Sequence, residues 1–220
     1  MLRNHRPKDV VSPLVKHMIE QIQWLGHGSF FIQGPPLIYI NPSRVTRNTF
    51  LADVILVGHH HDDHFSMAGI SKLRGPQTRV LTNEFLAKEI EGSTVIRPWQ
   101  SIMIDRAGIK AIPAYSSHGW QHPQSDGGLG FIISVNYYDI YYAGDTQIIP
   151  EMSTIHPDIA ILPINGNGTL TVQEAAEVVK QMHPHWVIPC NWGPGTQEDA
   201  LLFKKEVGGR AEVILPSIME

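Results

Sequence analysis

The chain has 220 residues, 42% hydrophobic and 17% charged, which supports a globular core and excludes a disordered polymer. Its formal net charge of −4 and pI near 6.3 leave no electrostatic footprint for nucleic acid or an anionic membrane. No apolar run approaches the roughly 18–20 residues of a membrane helix, and the one cysteine, Cys190, cannot form an internal disulfide.

These features fit a reducing compartment, and the N-terminal segment "MLRNHRPKDVVSPLVKHMIE" is broken by prolines and lacks the apolar stretch of a secretion signal. A cytoplasmic protein is expected, acting on a small molecule, with no nucleic-acid or membrane partner. Composition says nothing of oligomeric state, and residues 1–20 read as an extension without an assigned role.

In chain order, "EQIQWL", "SFFIQ" and "PLIYI" are short strands separated by Gly26-His27-Gly28 and Gly34-Pro35-Pro36. "DVILVG" is a continuous apolar strand of the kind buried on both faces. After it come a helix from about Phe65 to Leu73, the strand "TRVLT" and a helix "NEFLAKEIEG" ending on Gly92. A second strand-rich block follows in "SIMID", "GIKAIPA", "LGFIISV" and "DIYYAG". Alternation resumes with "DIAILP", a helix from about Val172, the strand "HWVIP" and the helix "QEDALLFKKEV". Thr171 followed by Glu174 matches a capping box. Each half runs from meander to α/β, so two sheets packed face to face with helices outside are expected in one domain spanning 1–220.

The stretch "LVGHHHDDHF" carries the chemistry. His59, His61, Asp63 and His64 form H-x-H-x-D-H at the carboxyl end of a buried strand, the place where α/β proteins build sites. In extended backbone His59 and His61 point the same way and reach one ion, while His60 points elsewhere. A turn after them aims Asp63 and His64 at a second ion. Imidazole with carboxylate suits zinc first, with manganese or iron as alternatives. One loop supplies too few ligands. His118 in "AYSSHGW" and Asp145 in "YYAGDT", each just past a predicted strand, are the natural additions.

With "WLGHGSFFI", "HHHDDH", "SSHGW", "YYAGDT" and "ILPING" in that order, the chain resembles the metallo-β-lactamase superfamily from roughly Ile22 to Trp192. Within it, the chain is similar to the branch holding ascorbate-6-phosphate lactonase and N-acyl-phosphatidylethanolamine phospholipase D. The resemblance implies a four-layer αββα sandwich and a metal centre. His59, His61 and His118 would hold the first ion, Asp63 and His64 the second, and Asp145 would bridge them.

Two departures stand out. Where relatives read P-x-H-Y, this chain reads Pro189-Cys190-Asn191-Trp192, so the neutral and weaker donor Asn191 fills a histidine's slot. One firmly bound metal and one weak metal are expected. Asn41 in "IYINP" stands where an aspartate is common, and loss of that charge is expected to loosen a ligand histidine. Cys190 alternates away from Asn191 and should pack in the core. His27 matches a family histidine after the first strand and either stands near the site or makes a structural hydrogen bond, while Tyr115, Trp120, His122 and Trp192 flank candidate ligands and line a pocket or support its packing.

The expected function is hydrolysis by a metal-activated water, with Asp63 as the catalytic residue that orients it. A lactone or other cyclic ester comes first as substrate and a phosphodiester second. The alternative of another class is a metal- or ligand-binding homologue without turnover, motivated by Asn191 and Asn41.

Overall fold

Strands whose residues alternate between two apolar faces must be covered on both sides, and the chain solves this with two sheets back to back. The computed structural model describes residues 18–45, 49–117, 121–193 and 195–217. The first sheet is six-stranded. It runs in order β1 (Ile22–Gly26), β2 (Ser29–Ile32), β3 (Ile38–Ile40), β4 (Ala52–Val57), β5 (Arg74–Thr82) and β6 (Thr94–Val95). The second has seven strands, with β7 (Ser101–Ile104) at one edge, then β8 (Ala107–Pro113), β9 (Leu129–Val135), β10 (Tyr138–Tyr142), β11 (Ile159–Pro163), β12 (Trp186–Cys190) and β13 (Glu212–Val213).

Both sheets repeat one plan. β1 to β3 pair antiparallel and β3 to β6 parallel. β7 to β10 pair antiparallel and β10 to β13 parallel. This is the duplication expected from the alternating strand and helix signals.

Side chains divide by the two-residue period of a strand. Phe30, Ile40, Val54 and Leu56 of the first sheet meet Ile109, Phe131, Ile133, Tyr142, Ile161 and Cys190 of the second in one core. The outer faces are covered by helices: Ile70 and Leu73 of α1 (Met67–Leu73) pack with Tyr39, Ile55 and Val57. Val178 and Val179 of α2 (Val172–Met182) and Phe203 of α3 (Gln197–Val207) pack with Tyr141, Ala160 and Leu162. Helix, sheet, sheet and helix make the four-layer αββα sandwich. Burial of each such aliphatic side chain contributes about 1.5–3 kcal/mol.

The helix starts follow local chemistry. Ser66 caps α1 by accepting from Gly69 N at 3.1 Å. Thr171 and Glu174 close the capping box of α2, each side chain accepting from the other's backbone N–H. The helix expected over residues 83–92 is not formed. Only a 3₁₀ turn, Leu86–Lys88, appears there, because Asn83 Oδ1 accepts from Leu86 N while its Nδ2 donates to the Gly127 carbonyl. That side chain closes a local turn and ties the segment to another loop instead of letting a helix propagate. No helix among the described residues is long and apolar enough to cross a membrane.

The sheets are joined near one edge by a buried polar chain. Asn41 Oδ1 accepts from Gly58 N at 3.0 Å and its Nδ2 donates to Tyr142 Oη at 2.9 Å, while that hydroxyl donates to the Gly28 carbonyl at 2.9 Å. Asn41 therefore does not work as a weakened orienter of a ligand histidine. It uses both halves of its amide, and a carboxylate there has no N–H to give the phenol. Its φ of 46° is a left-handed conformation that asparagine adopts more readily than most residues.

Tyr142→Phe leaves the Asn41 amide and the Gly28 carbonyl without this partner. A loss of about 1–3 kcal/mol is expected, read from the urea midpoint at unchanged m-value.

Candidate metal centre

β4 lies between β3 and β5, and its carboxyl end delivers Gly58 and His59 to the rim of the sandwich. Gly58 has no Cβ for a reason of space: one built there would lie 2.0 Å from the Leu129 carbonyl oxygen of the opposite sheet. Leu129 N donates to the Gly58 carbonyl at 3.0 Å, so the two sheets touch through backbone beside the histidines. His59 and His61 come together as alternation predicts, with ring centroids 4.2 Å apart. His60 turns away to Phe85, at 5.2 Å. The chain then turns, with His64 N and Phe65 N both donating to the His61 carbonyl.

One ligand atom each from His59, His61, His122 and Asp145 falls within 4.8 Å of the others. His118, the residue expected in this role, lies outside the described residues. The third imidazole of the described cluster is His122, four residues further along the same loop. Ser116 N donates to the His122 carbonyl at 2.7 Å, closing that loop over itself. His122 Nδ1 lies 3.0 Å from the Gly168 carbonyl, which can only accept, so Nδ1 carries the hydrogen. Nε2 then faces Asp145 Oδ2 at 3.5 Å. A neutral nitrogen lone pair facing a carboxylate needs a cation or a proton between them, and an imidazole fixed through its other nitrogen is the usual dress of a metal ligand. The sequence signal for His122 was the second histidine of its loop; the Gly168 contact that orients it comes from a distant segment.

Electrostatics agree with a cation site. Burial pushes the His59 imidazole down to about 3, so it stays neutral with a lone pair to give. Burial also lowers His61. His59 Nε2 is buried and has no hydrogen-bond partner among the described residues, as has Asn191 Oδ1. Such orphaned atoms are costly unless something else satisfies them. For Asp145, burial raises the carboxyl, but the neighbouring His64 and the other imidazoles outweigh it and hold the group well below the usual carboxylate range.

Asp63 and His64 form a second group, with His27 as third member. Asp63 Oδ2 is 2.9 Å from His27 Nε2, and its Oδ1 is 3.0 Å from His64 Nδ1. The hydrogen bond with His27, then that with His64, keeps Asp63 strongly ionised. His64 is buried, which alone would lower it, yet Asp145 and Asp63 on its two sides drive it up to about 10. It occupies space that only glycine leaves free, because a Cβ on Gly28 would come within 2.3 Å of His64 Nε2. His64 Nε2 lies 3.2 Å from Asp145 Oδ1, linking the two groups. Asn191 directs its amide at Asp145, donating from Nδ2 to Oδ1 at 2.8 Å. Cys190 packs in the core as its alternation implies, and burial pushes its thiol up.

A family profile described as a beta-lactamase superfamily domain matches residues 21–191. A UPF0173 metal-dependent hydrolase of Pyrococcus abyssi is 32% identical, with 89% of this chain and 95% of that protein covered. Its counterpart in Thermoplasma volcanium is 30% identical, with 91% and 97% covered. Among solved structures, a metal-dependent hydrolase from Parabacteroides distasonis matches with a TM-score of 0.81 at 27% identity, covering 90% of this chain and 93% of that one. A metallo hydrolase from Ignicoccus hospitalis matches in fold, with a TM-score of 0.72 at 24% identity and coverage of 90% and 95%.

Two substitutions test the geometry. His122→Ala is expected to weaken zinc binding by more than the roughly 10–100-fold that loss of an outer partner costs, measured by competition with a chromogenic chelator. Gly58→Ala drives a methyl into the Leu129 carbonyl; about 1–3 kcal/mol of stability should be lost, with weaker metal retention after dialysis.

Proposed function

We propose, for a chain that belongs to the metallo-β-lactamase superfamily and has its four-layer fold, that it is a metal-dependent hydrolase of lactones or other cyclic esters. The observation that carries this reading is the convergence of His59, His61, His122 and Asp145 on one point. Three imidazoles with one ionised carboxylate suit zinc, with manganese or iron as alternatives. His59, His61, His122 and Asp145 would hold the ion, which when bound supplies Lewis-acid polarisation of the substrate oxygen and acidifies water.

The chain's own residues do the rest. Asp63 is held ionised by His27 and His64, and its acidity makes it an orienter of the attacking water rather than a strong base. Asp145, fixed by His64, His122 and Asn191, anchors the cluster from the second sheet. The loops that carry the candidate ligands, residues 26–28, 58–66, 114–128, 143–149, 164–171 and 190–196, contain no lysine or arginine. A neutral cyclic ester needs no such charge, whereas a phosphodiester gains from one.

Phosphodiester hydrolysis is the second reading, and Arg44 favours it. Its side chain packs against Gly26, the residue before His27, and would be the cation at the rim for a phosphate. A substrate panel separates the two. The metal-loaded protein is expected to turn over simple lactones faster than bis-p-nitrophenyl phosphate, and a chelator should abolish both activities. Asp63→Ala should lower kcat by about 10²–10⁴-fold. The reverse preference would favour the phosphodiester, and activity that arises only in Asn191→His would identify a binding homologue without turnover.

A further inference from the structure

Asn191 leaves the second group of ligands one imidazole short of what the family resemblance implies, and its amide is drawn to Asp145 rather than to Asp63. The β1–β2 turn brings another imidazole to the same place. His27 Nε2 stands 2.9 Å from one oxygen of Asp63, and His64 Nδ1 stands 3.0 Å from the other. Two donor atoms that share a tetrahedral zinc-type ion at about 2.0–2.2 Å are themselves roughly 3.3–3.6 Å apart, and one ligand atom from each of His27, Asp63 and His64 falls within 4.8 Å of the others. The three groups, joined by hydrogen bonds, are therefore close enough to close around one cation.

The turn that carries His27 is held to the segment that carries Asn191. The His27 carbonyl accepts from Trp24 Nε1 at 2.7 Å and from Asn191 N at 3.2 Å, and the Trp24 ring stacks on Trp192 with centroids 4.9 Å apart. His27 adopts a φ of 50°, a conformation uncommon outside glycine, which the two hydrogen bonds and the stacked rings hold in place. Its imidazole is 21% exposed beside the half-exposed Asp63, which leaves the group open on one side for an ion to enter.

The geometry points to a second cation site made by His27, Asp63 and His64, in which the β1–β2 turn supplies the imidazole that position 191 lacks. This inference rests on the metal-dependent reading above. Two imidazoles and a carboxylate select the same zinc, manganese and iron class as the first site. The site is the weaker of the two, since it has three donors against four and one of them, Asp63, is half-exposed to water.

Zinc titration of the chelator-stripped chain tests it, followed by calorimetry and by the zinc retained after gel filtration. The unaltered chain is expected to bind two zinc ions in a tight and a weaker step. His27→Asn is expected to keep the tight step and lose at least about 100-fold in the weaker one. Asparagine suits the left-handed turn, and the hydrogen bonds that anchor it are made by backbone. Asn191→Ala should leave the weaker step within about tenfold. In the unaltered chain, labelled at imidazole nitrogen, the His27 Nε2 resonance should move with the second equivalent of zinc and not with the first. An unmoved His27 resonance, or an unchanged second step in His27→Asn, overturns the site while leaving the hydrolase reading intact. A chain that binds no zinc in either step overturns both.

Discussion

A carboxylate removed from water costs several kcal/mol unless charges and hydrogen bonds replace the solvent, and Asp145 is buried to 6% exposure. Its replacements come from three separate segments. His64 arrives from the loop after β4, His122 from the loop after β8, and Asn191 from the end of β12. The edge of the sandwich is thereby assembled around one charge. The first sheet contributes its histidine loop and the second contributes the carboxylate, so neither sheet alone makes a site. The energetic demand of the buried group and the convergence of ligands are one fact seen from two sides.

That convergence depends on backbone approaching backbone. Gly58 lies against Leu129, and Gly28 leaves the space that the His64 ring fills. Between them runs the Asn41–Tyr142–Gly28 chain, which fixes the spacing of the sheets with directional contacts where apolar packing alone would permit sliding. The ligand loops are consequently mounted on a rigid frame. Rigid mounting is what a catalytic cluster needs, because small misplacements of its donors weaken both metal binding and catalysis.

Much of this architecture was legible in the chain. The two-residue alternation in "SFFI" and "LGFIISV" marked strands with two covered faces, and the H-x-H-x-D-H run after "DVILV" marked the site, because such signals are local. Thr171 with Glu174 announced α2 for the same reason. What was not legible depended on partners far away in sequence. Residues 83–92 carry good helix formers, yet Asn83 is tied to Gly127 and the segment stays in turns. The orientation of His122 depends on a carbonyl at Gly168, and the task of Asn41 on a phenol about a hundred residues later. Pattern reveals elements; side-chain assignments wait on the neighbours that tertiary structure supplies.

The asparagine at 191 can be understood in these terms. A histidine in that slot would present a lone pair to a metal and, in the neutral form, would have one N–H to direct elsewhere. An amide instead donates an N–H to Asp145 Oδ1. The carboxylate is thus oriented before any cation arrives, which preorganises the first cluster and lowers the reorganisation that binding would otherwise require. The same amide, turned to Asp145, is withdrawn from Asp63 and His64. The amide at 191 therefore supports Asp145 and adds no donor to the outer group, so the two clusters are unequally supplied. The imbalance falls on the side that faces solvent, where His27 stands beside the half-exposed Asp63.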